Sequence, residues 1–297
     1  MHPAILLAIH LPDGVVHAQW CLVGFAGMAI MLAMGAWRIR DEEIPRVAIL
    51  TAVFFVAAQI HVPLPVSSAH LLLNGLVGVI LGRRAGLAIP LGLALQMALF
   101  QHGGWTTLGV NACVMGIPAI LAGLLFGGLC RLPWVRRPWF RGILVFTSMA
   151  VFIVSLVYCV SLLVSNPLNG AGTLHTEWAN SVAFHPATVA ATGAMALLAV
   201  WVEQRLENAP EFPLGLLMGE TAVLATVLLN GVVLLFGSTD QANWRSLVLL
   251  VFVIHLPLAV IEGMVLGFLV GFLVRVKPEM LGWTSSENSK CTAKSPL

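Results

Sequence analysis

Long apolar runs separated by short polar or charged loops occupy most of the chain. An α-helix crosses a bilayer with about 20 apolar residues, so each run is a predicted membrane helix. The predicted helices cover residues 19–37, 46–60, 70–82, 87–100, a fifth ending near 129, 143–164, 183–202, 214–236 and 246–274. The pattern therefore predicts an all-α, polytopic membrane helix bundle of about nine spans.

The overall composition supports the membrane class. Hydrophobic residues make up 59% of the chain and charged residues 9%, and the mean hydropathy is +0.95. These values lie far outside the range of soluble globular domains, and they leave no room for a sizeable soluble domain. The five cysteines stand singly without C-x-x-C spacing, which predicts free thiols.

The basic residues predict the orientation. With nine spans and the N-terminus outside, fourteen of the fifteen Lys and Arg residues lie on the cytoplasmic side, and only Arg245 lies outside. This asymmetry follows the positive-inside rule. We therefore expect a multi-pass protein of the cell membrane, the inner one in a cell with two, with a cytoplasmic C-terminus.

One segment, QIHVPLPVSSAHLLLN, interrupts the apolar pattern between the second and third predicted helices. Its two prolines stop helix continuation, and Ser67 or Ser68 is the predicted N-cap of a helix that begins near His70. Irregular backbone at membrane depth is tolerated only where protein buries it or where it lines a polar cavity. The segment is therefore a candidate binding site.

Histidines are concentrated on the predicted outer side. Seven lie there or at outer helix ends, namely His2, His10, His17, His61, His102, His175 and His185. His70 opens the third predicted helix from the same side, and His255 alone lies deep. A single interfacial histidine is usually an anchor or a hydrogen-bonding residue. A group of eight indicates capture of divalent ions such as Co²⁺, Ni²⁺ or Zn²⁺, which imidazole binds well.

Four segments resemble the CbiM/NikM family, the substrate-specific membrane subunits of energy-coupling-factor importers for cobalt and nickel. The segments are IHLPDG, VPLPVSSAHLLLNGLVGVILG, LALQMALFQHGGWTTLGVNACVMG and HLPLAVIEGMVLGFLV. They cover most of residues 9–130 and 212–281 in the family's order. The resemblance implies an extracytoplasmic metal-binding segment and a seven-span core split by two inserted helices, and the lack of apolar residues after Trp283 predicts a disordered tail. The corresponding boundaries are 1–18, 19–134, 135–210, 211–283 and 284–297.

The resemblance also implies a metal site. In the family, the ion is held in near-planar geometry by the N-terminal amine, by the backbone nitrogen and imidazole of a histidine at the second mature position, and by a histidine in a GTSGHL-like turn. His10 and His70 match these two histidines. Four nitrogens in a tetragonal arrangement favour Ni²⁺, Cu²⁺ and low-spin cobalt over Zn²⁺.

Further residues match family positions around that site. Gln96 and Asn111 are expected either to orient His70 or to hydrogen-bond between helices. Ser67 and Ser68 directly precede the turn that carries the histidine.

Departures from the family pattern leave three versions of the site open. Nine residues precede His10, so the terminal amine is adjacent only if removal of residues 1–8 exposes Ile9. In the second version His61 or His102, each replacing another polar residue of the family, supplies the missing nitrogen. In the third version His2 folds back with the amine of Met1. His70 belongs to all three versions.

The motifs that the chain lacks constrain its function. There is no G-x-x-x-x-G-K-[ST], so ATP hydrolysis must come from cytoplasmic ATPase subunits acting through a coupling membrane subunit. We expect no enzyme activity, no catalytic cofactor and no nucleic acid partner, with Co²⁺ or Ni²⁺ as the transported substrate. One alternative is an intramembrane zinc metalloenzyme that uses His10, His61 and His70.

A second alternative is a secondary metal transporter working alone. It would need carboxylates or histidines spaced across the bilayer, for which Glu220, His255 and Glu262 are the candidates. His255 and Glu262 are seven residues apart, and hence on one face of the last helix. This pair predicts either a functional role or a buried packing contact.

Overall fold

Helices make up most of the described structure, a computed structural model that covers residues 10–64, 67–130, 132, 137–164, 211–239 and 244–281. The α-helices in these ranges are α1 (Ala18–Ala36), α2 (Ile44–Ala57), α3 (Asn74–Leu81), α4 (Ala85–Phe100), α5 (Leu108–Leu129), α6 (Pro138–Val164), α7 (Phe212–Gly237) and α8 (Trp244–Val276). Short 3₁₀ segments cover Asp41–Glu43, Gly82–Arg84 and Pro278–Leu281. One hairpin, formed by β1 (His61–Leu64) and β2 (Ser67–His70), separates α2 from α3.

Within the described ranges, five helical segments are long and apolar enough to cross a membrane. They are α1, α3 together with α4, α5, α7 and the His255–Val276 part of α8. The prediction of a multi-pass helical membrane protein is thereby confirmed. The predicted helix at 183–202 lies outside the described residues, and the count of nine spans and the orientation of the termini stay predictions.

The segment between α2 and α3 differs from its predicted form. Ser67 and Ser68 do not cap a helix, because they belong to β2, whose last residue His70 is paired with His61 in the antiparallel register. The next helix begins only at Asn74. Prolines in this segment remove N–H donors and disfavour helix, whereas cross-strand pairing satisfies the remaining backbone groups internally, as an apolar environment requires.

Helix α3 is the most enclosed element, since all eight of its residues are buried. It packs directly on α5, where a Cβ added to Gly78 would lie 1.8 Å from the carbonyl oxygen of Ala119. On the facing helix, a Cβ at Gly123 would lie 2.2 Å from the carbonyl oxygen of Gly78. Only glycine permits this backbone contact, which holds the chain that follows β2 firmly against α5.

Helices α7 and α8 are joined by a second set of close glycine contacts. A Cβ on Gly219 would lie 2.6 Å from the Cα of Gly263, and one on Gly215 would lie 2.7 Å from the Cα of Gly267. Small residues four apart on two helices allow their backbones to approach closely. The contact fixes the rotation of α8 about its axis, and thereby the direction of the neighbouring residue Glu262.

A buried arginine ties together the ends of several helices on the opposite side from the hairpin. Arg84, between α3 and α4, donates to Glu43 Oε2 at 2.8 Å. Its guanidinium also donates to three carbonyl oxygens at the end of α1, those of Gly35, Trp37 and Arg38. The hydrogen bond from Arg84, followed by one from the Arg40 backbone, lowers the pKa of Glu43. This cluster joins α1, α2, α3 and α4 at one end of the bundle.

Candidate metal centre

Three histidines from separate parts of the chain converge at the end of the bundle that carries the hairpin. His10 precedes α1, His70 ends β2 and His102 follows α4, and their possible ligand nitrogens all lie within 4.8 Å of one another. His10 and His70 are buried, with 3% and 1% of their surface exposed, and His102 is half-buried. Among the described residues this is the one such group of histidine, cysteine and carboxylate side chains.

The three rings are arranged around a common point. His10 and His70 are stacked, with ring centroids 4.9 Å apart and planes inclined by 8°. His102 stands edge-on to both, with centroid distances of 5.0 and 5.5 Å. Imidazole nitrogens bind a divalent ion at about 2.1 Å, so two ligands on one ion lie at most roughly 4.2 Å apart. The separations of up to 4.8 Å between the possible ligand nitrogens are therefore close to those that one ion allows.

His10 is positioned by the residue that follows it. The backbone N–H of Leu11 donates to Asn111 Oδ1 at 2.9 Å, and Asn111 Nδ2 donates back to the Leu11 carbonyl at 3.1 Å. The hydroxyl of Thr107 donates to the same carbonyl at 2.6 Å. Both groups of the Leu11 backbone are thus held by the start of α5 and the residue before it.

Asp13 provides a second anchor for the same segment. Its carboxylate accepts from the Thr106 hydroxyl at 2.5 Å and from the Thr106 and Trp105 N–H groups at 2.8 and 3.2 Å. Burial alone would raise the pKa of Asp13, but hydrogen bonds from Thr106, Trp105 and Thr107 outweigh it and lower the pKa. The ionised carboxylate therefore fastens the N-terminal segment to the loop that contains His102.

His102 owes its position to the chain reversal at the end of α4. Gln101 adopts the left-handed conformation, with φ of 53°, and the N–H of His102 donates to the Gln96 carbonyl at 3.3 Å. Gly103 has φ of +92°, and a Cβ on Gly104 would lie 2.2 Å from Asp13 Oδ1. The two glycines therefore let the loop turn sharply and receive the N-terminal segment.

His70 is oriented by a local bond of its own ring. Its Nδ1 lies 3.2 Å from the carbonyl oxygen of Leu71. A carbonyl can only accept, so in this contact Nδ1 is the nitrogen that carries a proton. In a neutral ring of that tautomer, Nε2 is the atom that would bind a cation.

The turn after His70 is held from three helices. The N–H groups of Leu72 and Leu73 donate to Glu262 on α8, the second of them at 2.9 Å. The side-chain amide of Asn74 donates to Thr226 Oγ1 on α7 at 2.7 Å and to the Met115 carbonyl on α5 at 3.2 Å. The backbone around His70 is therefore restrained independently of any ion.

The other predicted site residues that the structure describes lie on the hairpin, in α4 and in α5. His61 faces His70 in the hairpin register, Ser67 and Ser68 lie on β2, and His2 lies outside the described residues. Gln96 is fully buried in α4, and Asn111 bonds the Leu11 backbone next to His10.

Two other groups of candidate residues lie apart from the three histidines. His255 is buried in α8, where its Nδ1 lies 2.7 Å from the Val251 carbonyl. Cys21, Cys113 and Cys130 take part in no disulfide, which agrees with the prediction for these three of the five cysteines.

Sequence reasoning did not predict the roles of three residues that hold the site. Asp13 and Thr107 carry no motif that distinguishes them from ordinary loop residues, and their partners lie about ninety residues away along the chain. Glu262 was noticeable as a carboxylate within an apolar helix, a placement that indicates function by itself. Its actual partners, the backbone N–H groups after His70, have no signature in the sequence.

Comparison with known proteins gives a family match. The model of the CbiM family, described as a cobalt uptake substrate-specific transmembrane region, matches residues 10–208 and 187–280. A metal transport relative from Haemophilus influenzae is 42% identical over 118 residues, which cover 40% of this chain and 57% of the relative. The cobalt transport protein CbiM of Geobacter sulfurreducens is 30% identical over 135 residues, or 42% of this chain and 39% of that protein.

The curated relatives are thus matched over about half of their length or less. Two solved structures correspond over almost the whole chain. One, a truncated transition metal transporter, is 20% identical with a TM-score of 0.50, and the alignment covers 91% of this chain and 98% of that one. The other, a transition metal transporter, is also 20% identical, with a TM-score of 0.51 and coverage of 90% and 93%. At this identity the likeness concerns the fold.

Proposed function

We propose that this chain, which belongs to the CbiM family of cobalt-uptake transmembrane proteins, captures Co²⁺ or Ni²⁺ for an ATP-driven importer of energy-coupling-factor type. The convergence of His10, His70 and His102 carries the proposal. Three neutral imidazoles in a buried position favour borderline divalent ions over Mg²⁺ or Ca²⁺, which prefer oxygen ligands. The ion is the transported substrate and has no catalytic role.

In this proposal the histidines form the outer face and the Arg84 cluster belongs to the cytoplasmic face. The N-terminal segment with His10 precedes α1, whereas Arg84 binds the carbonyls at the end of the same helix. Nineteen helical residues separate the two ends by about 28 Å, close to the thickness of a bilayer core. The N-terminus is then outside and the C-terminus inside, in agreement with nine spans.

We expect labelling from outside to distinguish the two faces. In a chain whose five native cysteines are replaced by alanine, a membrane-impermeant maleimide should label His17→Cys in intact cells but not Arg83→Cys. Both positions are exposed, and Arg83 avoids the buried cluster of its neighbour Arg84. Permeabilised cells provide the control, since both variants should then react. Labelling of Arg83→Cys in intact cells would contradict the proposed orientation.

The energy for import would come from partner subunits. The chain has no ATP-binding motif of the G-x-x-x-x-G-K-[ST] type, so a coupling membrane subunit and cytoplasmic ATPase subunits complete the proposed importer. The proposal does not require the chain itself to move the ion uphill.

We expect the purified chain to bind Co²⁺ and Ni²⁺ in calorimetric titration and to hydrolyse no ATP. Cellular uptake of the same ions should require co-expression of the coupling and ATPase subunits, because the chain supplies binding only. Vesicles that contain the chain alone are the control. ATP-independent accumulation in those vesicles would instead favour a secondary transporter, and absence of binding would remove the capture role.

A zinc metalloenzyme deserves comparison, because three imidazoles with an open position are also a ligand set of catalytic zinc. Such an enzyme also needs a general base near the ion. Among the described residues, the two carboxylates that contact the site's framework are already committed, Asp13 to Trp105 and Thr106, and Glu262 to the turn after His70. The transport proposal makes no such demand.

A further inference from the structure

Glu262 is a buried carboxylate that holds the chain directly after a proposed ion ligand. Only 3% of its surface is exposed, and it lies on α8, about 190 residues from His70 along the chain. Its Oε1 accepts from the N–H of Leu72 and its Oε2 accepts from the N–H of Leu73. Both oxygens are therefore used on two consecutive backbone donors, the second and third residues after His70.

The backbone at this point needs such an acceptor. Leu73 precedes the first residue of α3 and has a left-handed conformation, with φ of 46°, that nonglycine residues rarely adopt. The cap position lacks a side-chain cap of its own. Leu72 is fully buried, so water cannot replace the carboxylate as acceptor there. A buried N–H without an acceptor is costly, so the two oxygens of Glu262 stabilise the turn by accepting from both N–H groups.

The carboxylate is itself held in a fixed place. Its neighbour Gly263 packs against Gly219 of α7 so closely that α8 has little freedom to rotate. The same pair of helices also receives Asn74 through Thr226. The turn after His70 is therefore bonded to α7 and α8 as well as to α5, whereas Leu11 next to His10 and the loop of His102 are attached to each other and to α5.

We propose that Glu262 is a positioning residue for the ion site, acting on His70 through the backbone of the turn that follows it. This inference rests on the proposed function, since it requires an ion at His10, His70 and His102. The carboxylate sets where the His70 ring stands relative to the other two. Glutamine keeps the size of the side chain but offers one acceptor oxygen instead of two, so Glu262→Gln leaves one N–H of the turn without its partner.

The first measurement uses the metal-free chain. Hydrogen–deuterium exchange at the amides of Leu72 and Leu73 should be faster in Glu262→Gln than in the natural chain. Glu220→Gln is the matched control, because Glu220 is a second glutamate shielded inside the bundle, on α7, that adjoins Ser148 of α6. Its substitution should leave exchange in the turn unchanged. Equal exchange in Glu262→Gln and the natural chain would show that Glu262 does not hold the turn, and would overturn the proposal.

The second measurement uses bound Co²⁺ as a reporter of ligand geometry. Glu262→Gln should lower Co²⁺ affinity by about 10–100-fold, the range for residues that orient ligands, and should shift the visible absorption bands of the bound ion. Glu220→Gln should change neither. Faster exchange with an unchanged cobalt spectrum and affinity would overturn the positioning role. If Glu262→Gln does not fold, Glu262→Asp keeps both acceptor oxygens on a shorter side chain and should shift the same bands.

The two measurements separate this inference from the proposed function. If the natural chain binds neither Co²⁺ nor Ni²⁺, the capture role fails, and the positioning role fails with it. Exchange at Leu72 and Leu73 then still reports whether Glu262 holds the turn. If the natural chain binds both ions and the Glu262 variants show the same affinity and spectrum as Glu220→Gln, the capture role stands and the positioning role is overturned.

Discussion

Replacement of His70 by alanine is expected to lower the affinity for Co²⁺ and Ni²⁺ by more than about 100-fold, beyond the range for residues that merely orient ligands. His70 is a member of every version of the site considered, whereas His2, His10, His61 and His102 vary among them. Its Nδ1 bonds the Leu71 carbonyl, so that in a neutral ring Nε2 is the atom that would bind the ion. Loss of this ring removes a ligand that is in place before the ion arrives.

Calorimetric titration with each ion measures the effect. The control is His17→Ala, because His17 is exposed, directly precedes α1 and lies outside the group of three. Thermal unfolding should be similar for both variants, since the turn after His70 is held through backbone N–H groups and Asn74, which the substitution retains. Equal affinities for the two variants would remove His70 from the site and leave the capture proposal without its central residue.

The separate helices were largely predictable, because they depend on runs of apolar residues alone. The hairpin was not. Prolines and serines interrupt the apolar pattern here, and they are compatible either with a capped helix or with a turn between strands. The structure has the strands His61–Leu64 and Ser67–His70. The choice depends on cross-strand pairing, which no local pattern reports. The sequence pattern predicts His70 at a helix start, whereas it ends β2 and the next helix begins at Asn74.

The partners within the site were also beyond sequence reasoning. Asn111 was expected near His70, yet both ends of its amide bond the backbone of Leu11. Such a bond depends on where a chain segment 100 residues away comes to rest. Of the two histidines that replace other residues of the family pattern, His102 joins the described group of three nitrogens. Composition and spacing had left His61 and His102 equivalent.

Two sets of hydrogen bonds hold the backbone around the ion site. Asp13, Thr107 and Asn111 attach the N-terminal segment to α5 and the His102 loop. The turn after His70 is bonded to α5, α7 and α8 through Leu72, Leu73 and Asn74. Helix α5 therefore contributes to both sets of contacts, and α7 and α8 add bonds to the turn that carries His70.

His102→Ala is expected to lower the affinity for Co²⁺ and Ni²⁺ by at least about tenfold, because one of three converging imidazoles is lost. His102 is half-buried and lies in a loop, so its removal should leave thermal unfolding unchanged. Titration of His102→Ala beside His61→Ala compares the two histidines that could rebuild the site. We expect the larger loss at His102, whose ring already adjoins those of His10 and His70.

The mass of the intact purified protein shows whether the chain begins at Met1 or at Ile9. Together with the affinity of His102→Ala, it distinguishes the three versions of the site. A full-length chain with a loss at His102 agrees with the three-imidazole site. Unchanged affinity in His102→Ala, together with a chain that begins at Ile9, would assign the missing nitrogen to the terminal amine beside His10. Unchanged affinity in a chain that begins at Met1 would leave His61, tested by His61→Ala, or His2 with the amine of Met1. In either case His102 would be excluded as a ligand, although its loop would still anchor Asp13 through Trp105 and Thr106.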